Sequence, residues 1–147
     1  MKIEIRQTIL EDLKFLPELY RQYFKGDTGI QTDYDGMIKK FTELQSDNNY
    51  LFISAILNDK LDGFCSVIVN QDIVEKQKPF ITIWNLRVSS ELRKQGIGRK
   101  IMLFIENYAK TINADFITLS CDKENIGAQK FYKKLNYKEN IGFNKHL

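Results

Sequence analysis

The chain has 147 residues, 43% hydrophobic and 28% charged, which is enough to bury the core of one domain, predicted to span residues 1–147. A net charge of +3 argues against a dedicated nucleic-acid partner, and no apolar stretch predicts a signal peptide or a membrane span. Cys65 and Cys121 lie in strand-like segments without metal-ligand spacing. We therefore expect buried, reduced thiols, no metal site and a cytoplasmic location.

The N-terminal third predicts a strand followed by two helices. Lys2–Gln7 alternates polar and apolar residues, and Thr8 with Glu11 three positions later has the spacing of a capping box. Asp33 or Asp35 starts a second helix. The first of these helices repeats apolar residues at helical spacing: Leu13, Leu16, Leu19, Tyr20 and Tyr23.

The middle third is rich in β-formers. Tyr50–Leu57 and Leu61–Asn70 flank the turn Asn58–Lys60 and predict a hairpin. After the polar loop Gln71–Lys78, Phe80–Val88 is the next predicted strand.

The last third alternates helices and strands. Gly96–Gly98 opens an amphipathic helix, Asp115–Cys121 predicts a strand, and Asn125–Leu135 predicts another helix. Tyr137 and Ile141–Leu147 are expected to form two closing strands. The complete order predicts an α/β fold: a central mixed sheet of six to seven strands flanked by about four helices on both faces.

The segment between the predicted strand Phe80–Val88 and the helix that follows it has the features of an anion site. Helix N-termini present unpaired N–H groups, and glycines such as Gly96 and Gly98 let the backbone approach a ligand closely. Four cations surround the first turn, where each is unfavourable by about 0.3–1 kcal/mol unless an anion is bound. They are Arg93, Lys94, Arg99 and Lys100. A purely structural glycine turn with solvated cations is the alternative.

Other phosphate motifs match less well. The P-loop pattern is absent, and a dinucleotide fingerprint would need a third glycine where Ile101 stands. Asp122 at the end of the following strand keeps a nucleotide-binding reading open.

At these residues the chain resembles a known family. Arg93-Lys94-Gln95-Gly96-Ile97-Gly98 is similar to the R/Q-x-x-G-x-G/A signature of the GNAT superfamily of N-acyltransferases. Asn85–Val88 resembles the strand end that binds pantetheine in that family. The spacing from Asn125 through Tyr132 to Tyr137 resembles a second family segment, except that Asn136-Tyr137 replaces Gly-Phe. Asn is the next best residue for a left-handed helix end.

The resemblance implies a mostly antiparallel GNAT-like fold, with acetyl-CoA as co-substrate. It places pantetheine between the strands of Asn85–Val88 and Asp115–Cys121, which would splay apart, and the pyrophosphate on the amides of Lys94–Arg99. Asn125 either binds the pantetheine arm or only caps its helix. The implied cofactor-binding residues are Leu86, Arg87, Val88, Arg93, Lys94, Gln95, Gly96, Ile97, Gly98, Arg99, Asn125, Ala128 and Tyr132.

The family's chemistry implies direct attack of an amine on the thioester. Tyr132 would be the general acid, although its spacing also suits a packed aromatic, and the Val88 N–H would be the oxyanion donor. No general base is evident, because the central strand offers Thr82, Trp84 and Asn85 in place of a carboxylate. Asn85 is a candidate for positioning a water. The remaining titratable candidates read more simply as surface residues: Asp33, Asp35, Glu75 and His146.

The acceptor is expected to be a small-molecule or peptide amine, held near the N-terminal helices, with no nucleic acid or membrane partner. A homodimer is common among such proteins. Aromatic and acidic candidates for this site are Tyr23, Phe24, Tyr34, Trp84, Asp27, Asp33 and Asp35. Two other readings stay open: a non-catalytic acyl-CoA-binding or regulatory module, and a nucleotide-binding or nucleic-acid-binding domain.

Overall fold

A computed structural model describes residues 2–21, 33–89 and 95–147 of the chain. In these ranges the fold contains five strands, four α-helices and one 3-10 helix. The strands are β1 (Glu4–Gln7), β2 (Tyr50–Leu57), β3 (Lys60–Asn70), β4 (Phe80–Val88) and β5 (Ile117–Thr118). The 3-10 helix (Leu10–Phe15) precedes α1 (Leu16–Arg21), α2 (Tyr34–Leu44), α3 (Ile97–Thr111) and α4 (Ile126–Lys134).

The strands form one mixed sheet in the order β1-β2-β3-β4-β5. The first four are antiparallel neighbours, and β5 runs parallel to β4. The predicted hairpin is confirmed: Asn58 and Asp59 connect β2 to β3 with φ of 52° and 61°. Two consecutive left-handed residues match the twist of the flanking strands, and Asn and Asp tolerate that conformation well.

Both faces of the sheet are covered, as predicted. On one face α3 packs its buried residues, including Ile101 and Ile105, against Ile53 and Val67 of the sheet. On the other face the 3-10 helix, α1 and α2 cover a second cluster: Leu13, Leu16, Leu19, Phe41, Leu61 and Phe64. The period-2 alternation of β2 and β3 separates the two clusters.

A glycine of β3 lets α3 lie close to the sheet. A Cβ on Gly63 would be 3.1 Å from both Ala55 Cβ and Ile101 Cδ1, tighter than ordinary van der Waals contact. Because Gly63 pairs with Val88, this close approach sets the first half of α3 directly over the end of β4.

The prediction of six to seven strands is wrong for the described residues. The strand expected over Asp115–Cys121 shortens to Ile117–Thr118, and neither Tyr137 nor Ile141–Leu147 lies in a strand. Tyr137 is held by α4, whose Tyr132 carbonyl accepts its N–H at 3.0 Å. A strand needs a neighbour for its ladder, and residues 138–147 are exposed and have none here. No helix within 2–21, 33–89 and 95–147 has the length and apolarity to cross a membrane.

The predicted capping box at Thr8 is also wrong. The Asp12 carboxylate accepts the Ile9 N–H at 2.9 Å, and the Thr8 hydroxyl instead meets the Ser54 hydroxyl at 2.7 Å. Arg6 binds Asp12 through two nitrogens at 2.7 and 2.9 Å, and Ser54 donates to it at 3.0 Å. Burial alone would raise the pKa of Asp12, but these three partners outweigh it and hold that pKa below its usual value.

Candidate active site

Among the described residues β4 continues beyond the end of β5, and the space beside the unpaired carboxyl half of β4 is here called the gap. The two strands pair only at Ile81 with Ile117 and at Thr82 with Thr118. The second half of β4, up to Val88, has no β5 neighbour among the described residues. This lack of pairing is what the expected splay of the two strands requires, and the splay itself stays a prediction.

A β-bulge lies in β4 beside this gap. Phe64 pairs with Arg87 and Ser66 with Trp84, so Cys65 alone faces two residues of β4. Asn85, one of these two, has φ of 60°. Cys65 is fully buried, and burial raises the pKa of its thiol to about 12, which keeps it protonated and unreactive.

The bulge reverses the direction of the backbone amides that follow it. Before the bulge, the Ile81 N–H donates to Phe116 O on the β5 side at 3.0 Å. Eight residues later, the Ser89 N–H donates to Asp62 O on the β3 side at 2.7 Å. Because successive amides of a strand alternate sides, a regular strand would point both the same way. The N–H of Val88, one residue before Ser89, therefore points into the gap.

Tyr20 of α1 contacts the bulge from the face of the sheet opposite α3. Its hydroxyl donates to the carbonyl oxygen of Asn85 at 2.7 Å. Burial raises the pKa of Tyr20, so the phenol stays protonated and remains a donor. No sequence pattern points to this role of Tyr20, since the partner is a backbone atom 65 positions away.

The N-terminus of α3 lies at the same end of the sheet. Gly96 caps it with φ of 81°, and a Cβ there would meet no atom of the described residues within 4 Å. The first turn contains no acidic residue, while Arg99 and Lys100 are exposed within it. Unpaired N–H groups, a positive helix end and open space together suit a phosphate group. Arg93 and Lys94, also assigned to this loop, lie outside the described residues.

The second glycine has a packing role. A Cβ on Gly98 would lie 3.1 Å from Phe131 Cζ, so glycine here lets the first turn of α3 contact α4. The Ile97 side chain is buried in the core, which leaves only its backbone for a ligand, whereas Gln95 is exposed.

The first turn of α4 is capped by Asn125. Its Oδ1 accepts the Ala128 N–H at 3.0 Å, so the capping role is present. A contact of Asn125 with pantetheine stays a prediction. At the other end of α4, Asn136 has φ of 69°, in agreement with the left-handed helix end expected for it.

Tyr132 is half-buried on α4 within a group of aromatic rings. Its ring centroid lies 5.1 Å from that of Phe131 and 6.1 Å from that of Tyr137. The Tyr137 hydroxyl donates to Glu106 at 3.0 Å, and burial together with the Glu106 carboxylate raises the pKa of Tyr137. Tyr132 packs against the same core cluster as Leu86, Val88 and Ile97, so β4, α3 and α4 bring these predicted site residues together.

Several other expected site residues are placed differently. The Arg87 side chain turns back, and its Nη1 donates to Leu86 O at 2.8 Å. Asp33 caps α2 by accepting the Gly36 N–H at 3.0 Å. Cys121, expected to be a buried strand thiol, is exposed because β5 ends before it. Of the acceptor candidates, Trp84 is 55% exposed and Tyr34 is 37% exposed. Tyr23, Phe24 and Asp27 lie outside the described residues.

Comparison with known proteins identifies the family. The family model described as Acetyltransferase (GNAT) family matches residues 13–137. The chain belongs to the GNAT acetyltransferase family. GNAT enzymes use acetyl-CoA, and this is the co-substrate of the chain. A comparison with curated proteins finds no match.

Solved structures share this fold along nearly the whole chain. A transcriptional regulator from Bacillus halodurans C-125 is 23% identical, with a TM-score of 0.91 over 99% of this chain and 100% of that one. Glucosamine-6-phosphate N-acetyltransferase from Arabidopsis thaliana is 20% identical, with a TM-score of 0.81 over 99% of each chain. AAC(6')-Iy, solved with the bisubstrate analogue CoA-S-monomethyl-acetylneamine, is 18% identical, with a TM-score of 0.79 over 100% of both chains.

Proposed function

We propose that this GNAT acetyltransferase transfers an acetyl group from acetyl-CoA to a primary amine by direct attack within a ternary complex. Residues 1–147 act as one domain. We place it in the cytoplasm, where both Cys65 and Cys121, which are free thiols, stay reduced.

The observation that carries the proposal is the reversed amide direction after the β4 bulge. It leaves the backbone of Leu86 and Val88 to bind an extended chain in the gap between β4 and β5. The turn at Gly96 suits a pyrophosphate, because no side chain of residues 2–21, 33–89 or 95–147 lies within 4 Å of where its Cβ would be. Lys94–Arg99 would hold that pyrophosphate through main-chain N–H groups, and Arg93 would add charge.

Acetyl-CoA supplies a thioester whose carbonyl carbon an amine can attack. The Val88 N–H is directed to donate to the acyl oxygen as negative charge develops there. The Tyr132 hydroxyl is the proton donor to the departing sulfur. The exposed side chain of Asn85 positions a water, and this water takes the proton from the amine. The backbone carbonyl oxygen of Asn85 does not serve this purpose, since it already accepts the Tyr20 hydroxyl.

The acceptor is a small-molecule or peptide amine. Amino sugars are named for two of the structural neighbours, one a glucosamine-6-phosphate acetyltransferase and the other bound to an acetylneamine analogue. Three exposed side chains suit a cationic amine by their chemistry: Trp84 on β4, and Tyr34 and Asp35 of α2.

A second candidate function is a non-catalytic acyl-CoA-binding or regulatory module. It is favoured by the absence of a carboxylate from β4, whose residues Thr82, Trp84 and Asn85 cannot act as a base at neutral pH. The Bacillus halodurans neighbour, which shares the fold, is described as a transcriptional regulator.

The deciding experiment combines binding with turnover. Acetyl-CoA should raise the melting temperature, and an amine panel followed by mass spectrometry should reveal an acetylated product. Tyr132→Phe should lower kcat by about a hundredfold with little change in the acetyl-CoA KM, as expected for loss of a general acid. The matched control is Tyr137→Phe, which removes a hydroxyl from the same ring group but should leave kcat near the wild-type value.

Three outcomes separate the readings. Binding without turnover of any amine supports the non-catalytic module. A Tyr132→Phe enzyme as fast as the wild type removes Tyr132 from the mechanism. Absence of any acetyl-CoA-induced stabilisation overturns both readings.

A further inference from the structure

On the face of the sheet opposite α3, side chains from three neighbouring strands stand in rows. Cross-strand pairing places Phe52 of β2, Ser66 of β3 and Trp84 of β4 in one row. The residues between these positions, such as Val67 and Ile83, belong to the core under α3. A second row lies two residues along each strand: Tyr50, Ile68 and Thr82. Although β3 is the middle strand of five, Ser66 is only half-buried, and Trp84 is 55% exposed.

A small residue between two aromatic residues leaves a slot in the first row. Strands lie about 4.8 Å apart, so the Cα atoms of Phe52 and Trp84, on either side of Ser66, are about 10 Å apart. Because apolar carbon atoms pack about 3.5–4 Å apart, this distance admits one flat ring between the two aromatic side chains. The Phe52 wall of the slot is supported by three other rings, whose centroids lie within 6.3 Å of its own: Phe41, Tyr50 and Phe64.

The slot lies next to the gap beside β4. On the α3 side of the sheet, Tyr132 packs against the same core cluster as Val88. Trp84 lies on the opposite side and is exposed, as is the adjacent bulge residue Asn85. An amine that attacks acetyl-CoA held in the gap therefore approaches from the face that carries the slot.

We propose that Phe52, Ser66 and Trp84 form a subsite for a flat apolar group of the acceptor, which makes the substrate an arylalkylamine. This assignment rests on the proposed acetyl transfer. Neither row carries a charged side chain, so an acceptor with several amino groups finds no carboxylate there. Trp84 and Val88 are four residues apart, about 13 Å of extended strand. An aliphatic chain therefore has to separate the aromatic ring from the attacking nitrogen.

Trp84 is the only tryptophan of the chain, so tryptophan fluorescence reports on this subsite alone. In the presence of coenzyme A, phenylbutylamine should shift the emission to shorter wavelength, because its ring excludes water from an indole that is 55% exposed. Butylamine has the same chain and amine without the ring, and it should cause no shift at the same concentration. Ser66→Leu should abolish the response, because the leucine side chain fills the slot. Ser66→Val is the second variant, and circular dichroism checks that both remain folded.

Acetyl transfer provides a second measurement. The value of kcat/KM for phenylbutylamine should exceed that for butylamine by roughly tenfold or more, since hydrophobic pockets discriminate by such factors. Ser66→Leu should bring the ratio of the two values close to one. Phe116→Ala removes a different exposed aromatic side chain, next to β5, and should leave the ratio as in the wild type.

The outcomes distinguish this subsite from the acetyl transfer itself. An unchanged Trp84 emission with phenylbutylamine overturns the subsite, whether or not the chain acetylates amines. A shift that persists in both Ser66 variants overturns it as well, because the ring then binds elsewhere. Equal kcat/KM for the two amines contradicts the substrate class and leaves the acetyl transfer in place. Absence of transfer to any amine contradicts the proposed function, and the fluorescence shift still decides whether the subsite binds the ring.

Discussion

Replacing Gly96 by alanine should affect the stability of the protein or its affinity for acetyl-CoA, and the size of the effect can be derived from the backbone conformation of this residue. Gly96 has φ of 81° and ψ of 7°, and an added Cβ would meet no atom within 4 Å in the part of the chain that the structure describes. The whole penalty of Gly96→Ala is therefore conformational, and a left-handed residue with a Cβ costs about 1–2 kcal/mol. Gly96→Asn should cost less, because Asn tolerates this conformation better than Ala.

The penalty should appear in one of two measurements or be divided between them. In a chain of this size, each kcal/mol lowers the melting temperature by about 2–4 °C, so Gly96→Ala should melt about 2–8 °C lower. Where the alanine relaxes the turn instead, acetyl-CoA has to restore it on binding. A cost of 1–2 kcal/mol then weakens acetyl-CoA affinity by roughly 5–30-fold.

Thermal unfolding and calorimetric titration with acetyl-CoA measure the two quantities. Gly142→Ala is the matched control, since an added Cβ there also meets no described atom within 4 Å and the residue is not left-handed. The reasoning is refuted if Gly96→Ala matches the wild type in both stability and affinity, or if Ala and Asn at this position cost the same.

Two further predictions concern residues that support the site from a distance. Tyr20→Phe removes the hydroxyl bonded to Asn85 O and should cost about 1 kcal/mol of stability. It should also reduce kcat more than the acetyl-CoA KM changes; an unaltered kcat in steady-state kinetics would show that the bulge needs no such support. Asp12→Asn should cost roughly 2–3 kcal/mol at neutral pH, because Arg6 and Ser54 lose a charged partner. Since folding lowers the pKa of Asp12 from its usual 3.8, this contribution is present above that value and is lost as pH falls through the folded pKa. Urea unfolding should show the wild-type advantage shrinking below about pH 4, and an advantage independent of pH would contradict the assignment.

The elements that the sequence predicted well are those with local causes. β4 spans Phe80–Val88 as predicted, the hairpin turns at Asn58 and Asp59, and α3 begins directly after Gly96. In each case neighbouring residues suffice: β-branched and aromatic side chains favour a strand, and glycine or asparagine permits a left-handed turn. The family resemblance rested on motifs of the same local kind, and the family match agrees with it.

Only the tertiary structure decided the features that depend on distant partners. The sequence does not show the β-bulge in β4, where Cys65 of β3 lies opposite two residues. It also does not show that the Tyr20 hydroxyl donates to the Asn85 carbonyl, or that Gly98 leaves space for Phe131. Each depends on two segments brought together by the sheet register and by helix packing. The C-terminal segment, residues 138–147, shows the same dependence on a distant partner. A strand was expected at Ile141–Leu147, but a strand forms only where another edge is available to pair with it.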